Sequence, residues 1–263
     1  MNRIDLKFKE LRARKKKAFI AFITAGYPSL EATEELVRLF ERAGVDIVEL
    51  GIPFSDPMAD GPTIQAASFS ALQRGTTPGN ILELVRRIRK GSQIPIALMT
   101  YYNPVFHCGD EAFVNKAQAA GVDGLIVPDL PVEESLDLRQ AAAKKDVSVV
   151  SFVAPTTANA RLERITKAAS GFIYFVSVAG VTGARTSVPA NVSVQVKKVR
   201  SMTDVPVCVG FGISTPQQVK SVASFSDGVI VGSAIIKEIE KNITAKDMPR
   251  RVAAFVKSLS SVL

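Results

Sequence analysis

The chemistry that this sequence could support centres on three carboxylates, Glu49, Asp56 and Asp60. Residues 45–50 form an apolar pattern typical of a short buried strand, and Glu49 lies near its carboxyl end among apolar neighbours. Segment 53–62 contains three prolines and two acids, so it predicts a loop rather than a helix or strand. We therefore expect Glu49 to be desolvated, with two further carboxylates on a loop that can fold over it.

A structural interpretation of the same stretch is equally consistent with the residues. A glutamate at a strand end often pairs with a lysine, and a proline-rich segment can simply form a rigid turn. Perturbed carboxylates point to function only statistically. The rest of the chain has to decide between the two interpretations.

The elements that must position these carboxylates alternate regularly along the chain. The apolar runs predict strands at 18–24, 45–50, 94–99, 124–127, 147–153, 172–176, 205–209 and 228–231. The amphipathic stretches predict helices at 3–14, 29–41, from 77 onward, around 110–120, and at 132–144, 157–168, 190–200, 215–223, 233–240 and 247–260.

Eight strand-then-helix units predict a closed (β/α)₈ TIM barrel that forms a single domain over residues 1–263. The extra helix at the N-terminus is expected to cover the bottom of the barrel. An open doubly wound sheet is the alternative. It is disfavoured because no Gly-x-Gly-x-x-Gly pattern follows the first strand.

Composition excludes several classes of protein. The 263 residues are 47% hydrophobic, which predicts a large core, and no apolar run reaches membrane-spanning length. The charged N-terminal segment does not fit a signal peptide, so we expect a cytoplasmic protein, or one of the plastid stroma after removal of a transit peptide. His107 is the only histidine, and Cys108 and Cys208 lack metal-site spacing; both are expected to be buried thiols. We predict no bound metal.

The formal charge of +8 is concentrated partly in residues 12–17, which carry five basic side chains. Such a cluster favours nucleic acid or an anionic ligand. It contains no interleaved aromatic residues and no recognised nucleic-acid motif. A solvated surface whose field favours phosphate is therefore the preferred interpretation, and neither nucleic acid nor a membrane is expected as a partner.

Active sites of such barrels lie where strands end and helices begin. Glycines follow the sixth, seventh and eighth predicted strands, and a helix begins at Ser233, so backbone amides and a helix N-terminus predict a phosphate site there. Residues 178–191 have the composition of a lid that orders over a ligand. The pocket centre is expected to be lined by apolar and aromatic side chains, namely Phe22, Met99, Val153, Tyr174 and Phe211.

With these residues in view, the chain resembles the alpha subunit of tryptophan synthase over essentially its full length. The most specific motif is Glu-Leu-Gly-Ile-Pro-Phe-Ser-Asp-Pro-Met-Ala-Asp-Gly-Pro-Thr-Ile-Gln at 49–65. The supporting motifs follow in the family's order at 98–104, 128–131, 180–185 and 210–214.

The resemblance implies a retro-aldol cleavage of indole-3-glycerol phosphate to indole and glyceraldehyde 3-phosphate. It matches Glu49 and Asp60 to the family's catalytic pair. The family's substrate-binding positions match Phe22, Tyr101, Thr182, Gly183, Phe211, Gly212, Gly232 and Ser233. It also implies that this chain needs no cofactor, and that indole passes to a pyridoxal-phosphate beta subunit in an alpha2-beta2 heterotetramer. Tyr174 is expected to help position Glu49.

Other functions stay open at this point. Another phosphate-sugar barrel, such as indole-glycerol-phosphate synthase, would be expected to show a catalytic lysine at a strand end, and strands two to six show none. A catalytically silent subunit that only activates a partner is disfavoured by the intact Glu49 and Asp60. Nucleic-acid binding through the basic face would be discarded by the absence of heparin retention at moderate salt.

Overall fold

The computed structural model describes residues 1–177, 190–210 and 212–263. Within these ranges, eight parallel strands close into a barrel in which each strand pairs with its neighbour in the chain and the last pairs with the first. The predicted (β/α)₈ barrel is confirmed. The strands are β1 (Ala18–Thr24), β2 (Ile47–Gly51), β3 (Ile96–Met99), β4 (Gly124–Ile126), β5 (Ser148–Val153), β6 (Ile173–Val176), β7 (Val207–Gly210) and β8 (Gly228–Val231).

Twelve helices surround or cover the barrel in the described part of the chain. They are α1 (Arg3–Ala13), α2 (Leu30–Arg42), α3 (Pro62–Gln73), α4 (Pro78–Arg89), α5 (Tyr102–Cys108), α6 (Asp110–Ala120), α7 (Leu136–Ala143), α8 (Asn159–Ala168), α9 (Ala190–Arg200), α10 (Pro216–Ala223), α11 (Ser233–Lys241) and α12 (Met248–Ser260). The sequence reasoning did not predict α3 and α5. None of the helices in the described ranges is long and apolar enough to cross a membrane.

Local sequence explains where several helices begin. Ser29 accepts a hydrogen bond from the backbone of Ala32 at the start of α2. Thr77 and Thr215 form capping boxes and are each followed by proline, whose fixed backbone angle suits the first helical turn. These caps satisfy backbone N–H groups that the first turn of each helix leaves without a partner in the helix.

The alternation of side chains along each strand divides the core into two layers. Outward residues such as Val48 and Leu50 pack against the surrounding helices. Inward residues such as Ile20 and Ile47 form a second, smaller cluster inside the barrel. Ile4, Phe8 and Leu11 of α1 belong to this inner cluster, so α1 closes the amino-terminal end of the barrel as predicted.

A buried ion pair fixes the start of β3. Asp123 is 2% exposed on its side chain, and its carboxylate accepts hydrogen bonds from Arg3 (2.9 Å), Arg89 (2.8 Å) and the backbone of Ile96 (2.9 Å). Burial lowers the pKa of Arg89 to about 10, although the charge of Asp123 opposes this shift. The guanidinium of Arg89 therefore depends on Asp123 for its only described carboxylate partner.

We expect Asp123→Ala to destabilise the protein by about 3 kcal/mol, because it leaves the largely buried Arg89 side chain without its counter-charge. Urea unfolding followed by circular dichroism measures the change. Glu83→Ala is the control, since Glu83 pairs with Arg86 on the exposed face of α4 and such pairs contribute about 0.5 kcal/mol or less. Equal losses in both variants would contradict a structural role for the Asp123 network.

Candidate active site

Glu49 lies near the carboxyl end of β2, in register with Phe22 of β1 and Ala97 of β3. Ile47, two residues earlier, points into the barrel, so Glu49 shares that inward side. The side chain is fully buried, and neither carboxyl oxygen has a hydrogen-bond partner among the residues that the structure describes. Desolvation raises the pKa of Glu49 from 4.5 to about 8, so the group is protonated at neutral pH.

Asp60 lies in the loop that follows β2, immediately before α3. Its Oδ2 accepts a hydrogen bond of 3.1 Å from the hydroxyl of Tyr101, which in turn accepts one of 2.9 Å from the backbone N–H of Ala59. Phe54 stacks on the Tyr101 ring with centroids 5.1 Å apart. These contacts of Tyr101 hold the loop against the end of β3.

The pKa of Asp60 is raised to about 6, because burial outweighs the opposing hydrogen bond from Tyr101. Asp60 is thus ionised at neutral pH, whereas Glu49 is not. Asp56, the third carboxylate of the stretch, is exposed and accepts a hydrogen bond from Ser55. The expectation that it folds over Glu49 is therefore not met in this structure.

A cavity of about 430 Å³ opens at the carboxyl end of the barrel. Of the predicted site residues, those that line it are Phe22, Asp60, Met99, Tyr174, Gly212, Gly232 and Ser233. Glu49 itself contributes no surface to this cavity. It is nevertheless adjacent, because its strand partner Phe22 lines the cavity and its charge raises the pKa of the cavity residue Tyr174, after the larger effect of burial.

The placement of Val153 was predicted wrongly. Side chains of β5 alternate, and Val150 points into the barrel, so Phe152 also points inward while Val153 packs outward among the helices. Phe152 lines the cavity and its ring centroid lies 5.0 Å from that of Tyr174. Counting the alternation from Val150 would have identified Phe152 from the sequence.

Further lining residues were not predicted. They include the apolar side chains of Ile64, Pro128, Ile213 and Ile230. Ile230 lies on an inward position of β8 and could have been found by alternation, whereas Ile64 lies on α3, the helix that the sequence reasoning missed. Together with Phe22, Met99 and Phe152, these side chains give the cavity an apolar surface that is suited to a flat ring.

Glycines leave the space that two of these rings occupy. A Cβ atom on Gly210 would lie 2.5 Å from the hydroxyl oxygen of Tyr174, and one on Gly232 would lie 3.0 Å from the ring of Phe22. Any larger residue at position 210 would displace Tyr174. The glycine at the end of β7 therefore positions an aromatic side chain that lies beside Glu49.

Three residues of the predicted anion site lie together at the cavity within the described residues. Gly212, Gly232 and Ser233 line one side of the cavity, and Ser233 is the first residue of α11, which has no side-chain cap. The uncapped end of a helix presents free N–H groups and a positive dipole end to an anion. Thr182, Gly183 and Phe211 lie outside the described residues, as does most of the predicted lid at 178–191.

The described residues contain no group of three or more His, Cys, Asp or Glu side chains placed to hold a metal ion. Cys208 is buried, as predicted. Cys108 is only partly buried, contrary to the prediction, because it lies at the exposed end of α5 beside Lys116. Neither thiol lines the cavity.

Comparisons with known proteins identify relatives of the whole chain. The family model of the tryptophan synthase alpha chain matches residues 8–262. A tryptophan synthase alpha chain of Geobacter sulfurreducens is 50% identical over 263 residues, which cover 100% of this chain and 99% of that protein. The crystal structure of the tryptophan synthase alpha subunit of Legionella pneumophila is similar with a TM-score of 0.93 and 38% identity, covering 100% and 98% of the two chains. A tryptophan synthase complex of Pyrococcus furiosus contains a chain similar with a TM-score of 0.84 and 33% identity, covering 92% and 97%.

Because the pKa of Glu49 is raised, we predict that replacing this residue by glutamine stabilises the fold by an amount that depends on pH. When the pKa of a carboxyl group is raised in the folded state, its contribution to stability is complete below the unfolded pKa of 4.5. This contribution is lost progressively as the pH rises to the folded pKa of about 8. We expect Glu49→Gln to be more stable than the native protein by about 2–4 kcal/mol near pH 9, since each pKa unit corresponds to about 1.4 kcal/mol.

Near pH 4.5 the same substitution should change stability by about 1 kcal/mol or less, because Glu49 is then protonated in the folded state and only about half ionised in the unfolded state, whose pKa is 4.5. Urea unfolding at the two pH values measures the difference, with Glu83→Gln as an exposed control. A Glu49→Gln effect of the same size at both pH values would rule out a charged-state penalty at this position.

Proposed function

This chain belongs to the tryptophan synthase alpha chain family, and we propose that its Glu49 and Asp60 carry out the family's reaction. The alpha subunit cleaves indole-3-glycerol phosphate to indole and glyceraldehyde 3-phosphate, and passes indole to the beta subunit. The observation that carries our assignment of residues is the pair of acids whose pKa values lie on either side of neutrality beside one apolar cavity.

Cleavage requires a proton at C3 of the indole ring and the loss of a proton from the carbinol hydroxyl. Glu49, protonated at neutral pH, donates the first proton to C3 and disrupts the aromaticity of the ring. Its carboxylate then accepts the hydroxyl proton as the carbon–carbon bond breaks, the aldehyde forms and the indole ring is restored. One carboxyl group thus acts first as acid and then as base, and ends the cycle protonated.

Asp60 stabilises the positive charge that the ring acquires between these steps. Its pKa of about 6 keeps it ionised at neutral pH, so it accepts a hydrogen bond from the indole N–H as the ring becomes cationic. The hydrogen bond from Tyr101 holds the carboxylate on the cavity wall in advance of substrate binding. This preorganisation reduces the cost of orienting Asp60 during the reaction.

The remaining cavity residues suit the two ends of the substrate. Phe22, Met99 and Phe152 offer an apolar surface to the indole ring, and Tyr174 packs beside them. Gly212, Gly232 and Ser233 offer backbone amides and the N-terminus of α11 to the phosphate. The resemblance matches Thr182, Gly183 and Phe211 to substrate-binding positions of the family, and we assign them to the same site. Binding of the phosphate orients the reacting centre at Glu49.

The chemistry assigned to these residues needs no organic cofactor or metal in this chain. The protonated indole ring itself takes up the electrons of the breaking bond, so no separate electron sink is required. Pyridoxal phosphate belongs to the beta subunit in this proposal.

The partner surface is proposed at the carboxyl end of the barrel. Met58, Phe106 and Leu136 are exposed by 82%, 71% and 62%, and they follow β2, β3 and β4 respectively. Large exposed apolar side chains grouped at one edge are typical of a protein interface. We assign this edge, with residues 53–62 and 102–104, to the beta subunit of an alpha2-beta2 assembly; the related Pyrococcus furiosus chain comes from a tryptophan synthase complex.

We expect Glu49→Gln and Asp60→Asn each to reduce indole release from indole-3-glycerol phosphate by at least about 100-fold, because each removes a charge state that the transition state requires. Release is followed with and without a beta subunit. Substrate binding should persist in Glu49→Gln, and Glu83→Gln on α4 is the matched carboxamide control. An active Glu49→Gln enzyme would exclude the acid–base role, and a native chain inactive even with the beta subunit would favour a silent binding subunit.

The pH profile of kcat/KM should be bell-shaped. The rate falls below about pH 6 as Asp60 is protonated, and above about pH 8 as Glu49 loses its proton. Tyr101→Phe removes the hydrogen bond that lowers the pKa of Asp60, so the acid limb should move to higher pH while the alkaline limb stays in place. If the acid limb of the Tyr101→Phe variant stays fixed or moves to lower pH, protonation of Asp60 is not the cause of that limb.

A further inference from the structure

A second cavity lies at the opposite end of the barrel, where the strands begin. Its volume is about 620 Å³, and it is bounded by the end of α1, the turn that enters β1 and the loop that enters β7. No residue of this cavity belongs to the site described above. Its floor is apolar and includes Phe8, Leu11 and Pro206.

The rim of this cavity is strongly cationic. It carries five basic side chains against two carboxylates, Asp204 and Asp227; the basic residues are Arg12, Lys15, Lys16, Lys17 and Arg200. These side chains come from segments that are far apart in the sequence but meet around one opening. The field within the opening is therefore positive.

Within the described ranges, only two of the five cations form an ion pair with a carboxylate. Asp227 accepts two hydrogen bonds from Arg200, at 3.0 and 2.8 Å, and lies 3.6 Å from Lys17. The guanidinium of Arg12 donates instead to the backbone oxygen of Asp204, a neutral acceptor, at 3.0 Å.

Lys15 and Lys16 are exposed and form no ion pair within the part of the chain that the structure describes. Arg14, between Arg12 and Lys15 in the sequence, pairs with Glu10 and does not line the cavity. Among the described residues, these two lysines and Arg12 thus form no ion pair with a carboxylate, although the charge of Lys16 lowers the pKa of the largely buried Asp46 against the larger effect of burial. The carboxylate of Asp204 also forms no ion pair with the residues that the structure describes.

The backbone at Lys15 is also informative. Its φ angle of +55° is in the left-handed region, where glycine is favoured and a side chain is a cost. The left-handed conformation of Lys15 ends α1, because it allows the N–H of Lys16 to donate a hydrogen bond to the backbone oxygen of Leu11. Helix termination requires this backbone conformation but no particular side chain. A lysine in place of glycine brings a positive charge to the cavity that helix termination does not need.

We propose that this cavity binds a small anion that contains two or more linked phosphate groups, with Arg12, Lys15 and Lys16 as its ligands. A single phosphate would fill only a small part of a cavity of about 620 Å³, whereas a phosphate chain offers several anionic oxygens to the three cations. The apolar floor would accommodate an organic group attached to that chain. A free inorganic polyphosphate and a nucleoside polyphosphate share the chemistry that the rim recognises.

The test is isothermal titration of the full chain with tripolyphosphate and, separately, with ATP in the absence of magnesium, at about 0.15 M salt, where long-range attraction is screened. The substituted protein is Lys15→Gly/Lys16→Gln, in which glycine suits the left-handed backbone and preserves the fold. Arg14→Gln is the matched control, because it removes a charge from the same turn outside the cavity.

Saturable binding of either probe, weakened at least tenfold in the double variant and less than twofold in Arg14→Gln, supports the proposal. Tighter binding of ATP than of tripolyphosphate would identify the nucleoside form, and the reverse would identify the inorganic form. The proposal is overturned if neither probe saturates at millimolar concentration, or if Arg14→Gln weakens binding as much per charge removed as the double variant. Competition with indole-3-glycerol phosphate would also overturn it, because that result places the anion in the other cavity.

Discussion

The rest of the site depends on the burial of one carboxyl group, Glu49, which has no hydrogen-bond partner in the described part of the chain. Glu49 points inward from β2, between β1 and β3, whose backbone groups are engaged in the barrel ladder. In a closed barrel the strands leave few backbone donors free to stabilise an inward carboxylate. The barrel therefore favours the protonated form of Glu49 and holds a proton donor inside a protein at neutral pH.

Asp60 is ionised at neutral pH because it lies on a loop, whereas Glu49 lies on a strand inside the barrel. It lies on a loop, where the Tyr101 hydroxyl can reach it, and where burial is less complete than within β2. The hydrogen bond favours the charged form and limits the rise of its pKa to about 6. Two acids from one short stretch of sequence thus adopt different charge states at the same pH, which a single environment could not produce.

The sequence predicted the features that depend on strong periodicity and missed those that depend on tertiary packing. The bounds of β1 and α9 were correct, whereas α3 and α5 were missed, because α3 buries only small side chains and α5 buries only Val105, so neither has an apolar stripe. The burial of Glu49 followed from alternation. Alternation did not predict that Glu49 contributes no surface to the cavity. That separation depends on the side chains packed around Glu49, including the ring of Phe22, for which Gly232 leaves room.

The need to keep Glu49 protonated also explains how charge is divided between the two ends of the barrel. None of the described residues that line the cavity beside Glu49 is a lysine or arginine, although the chain carries a formal charge of +8. A cation within a few ångströms would stabilise the ionised form of Glu49 and lower its pKa, and it would also compete for Asp60 with the indole N–H of the proposed mechanism. Backbone amides and the end of α11 can attract a phosphate with partial charges only, and so bind an anion without deprotonating the acid. Full cations are compatible with this fold at the other end of the barrel, beyond the apolar interior and α1.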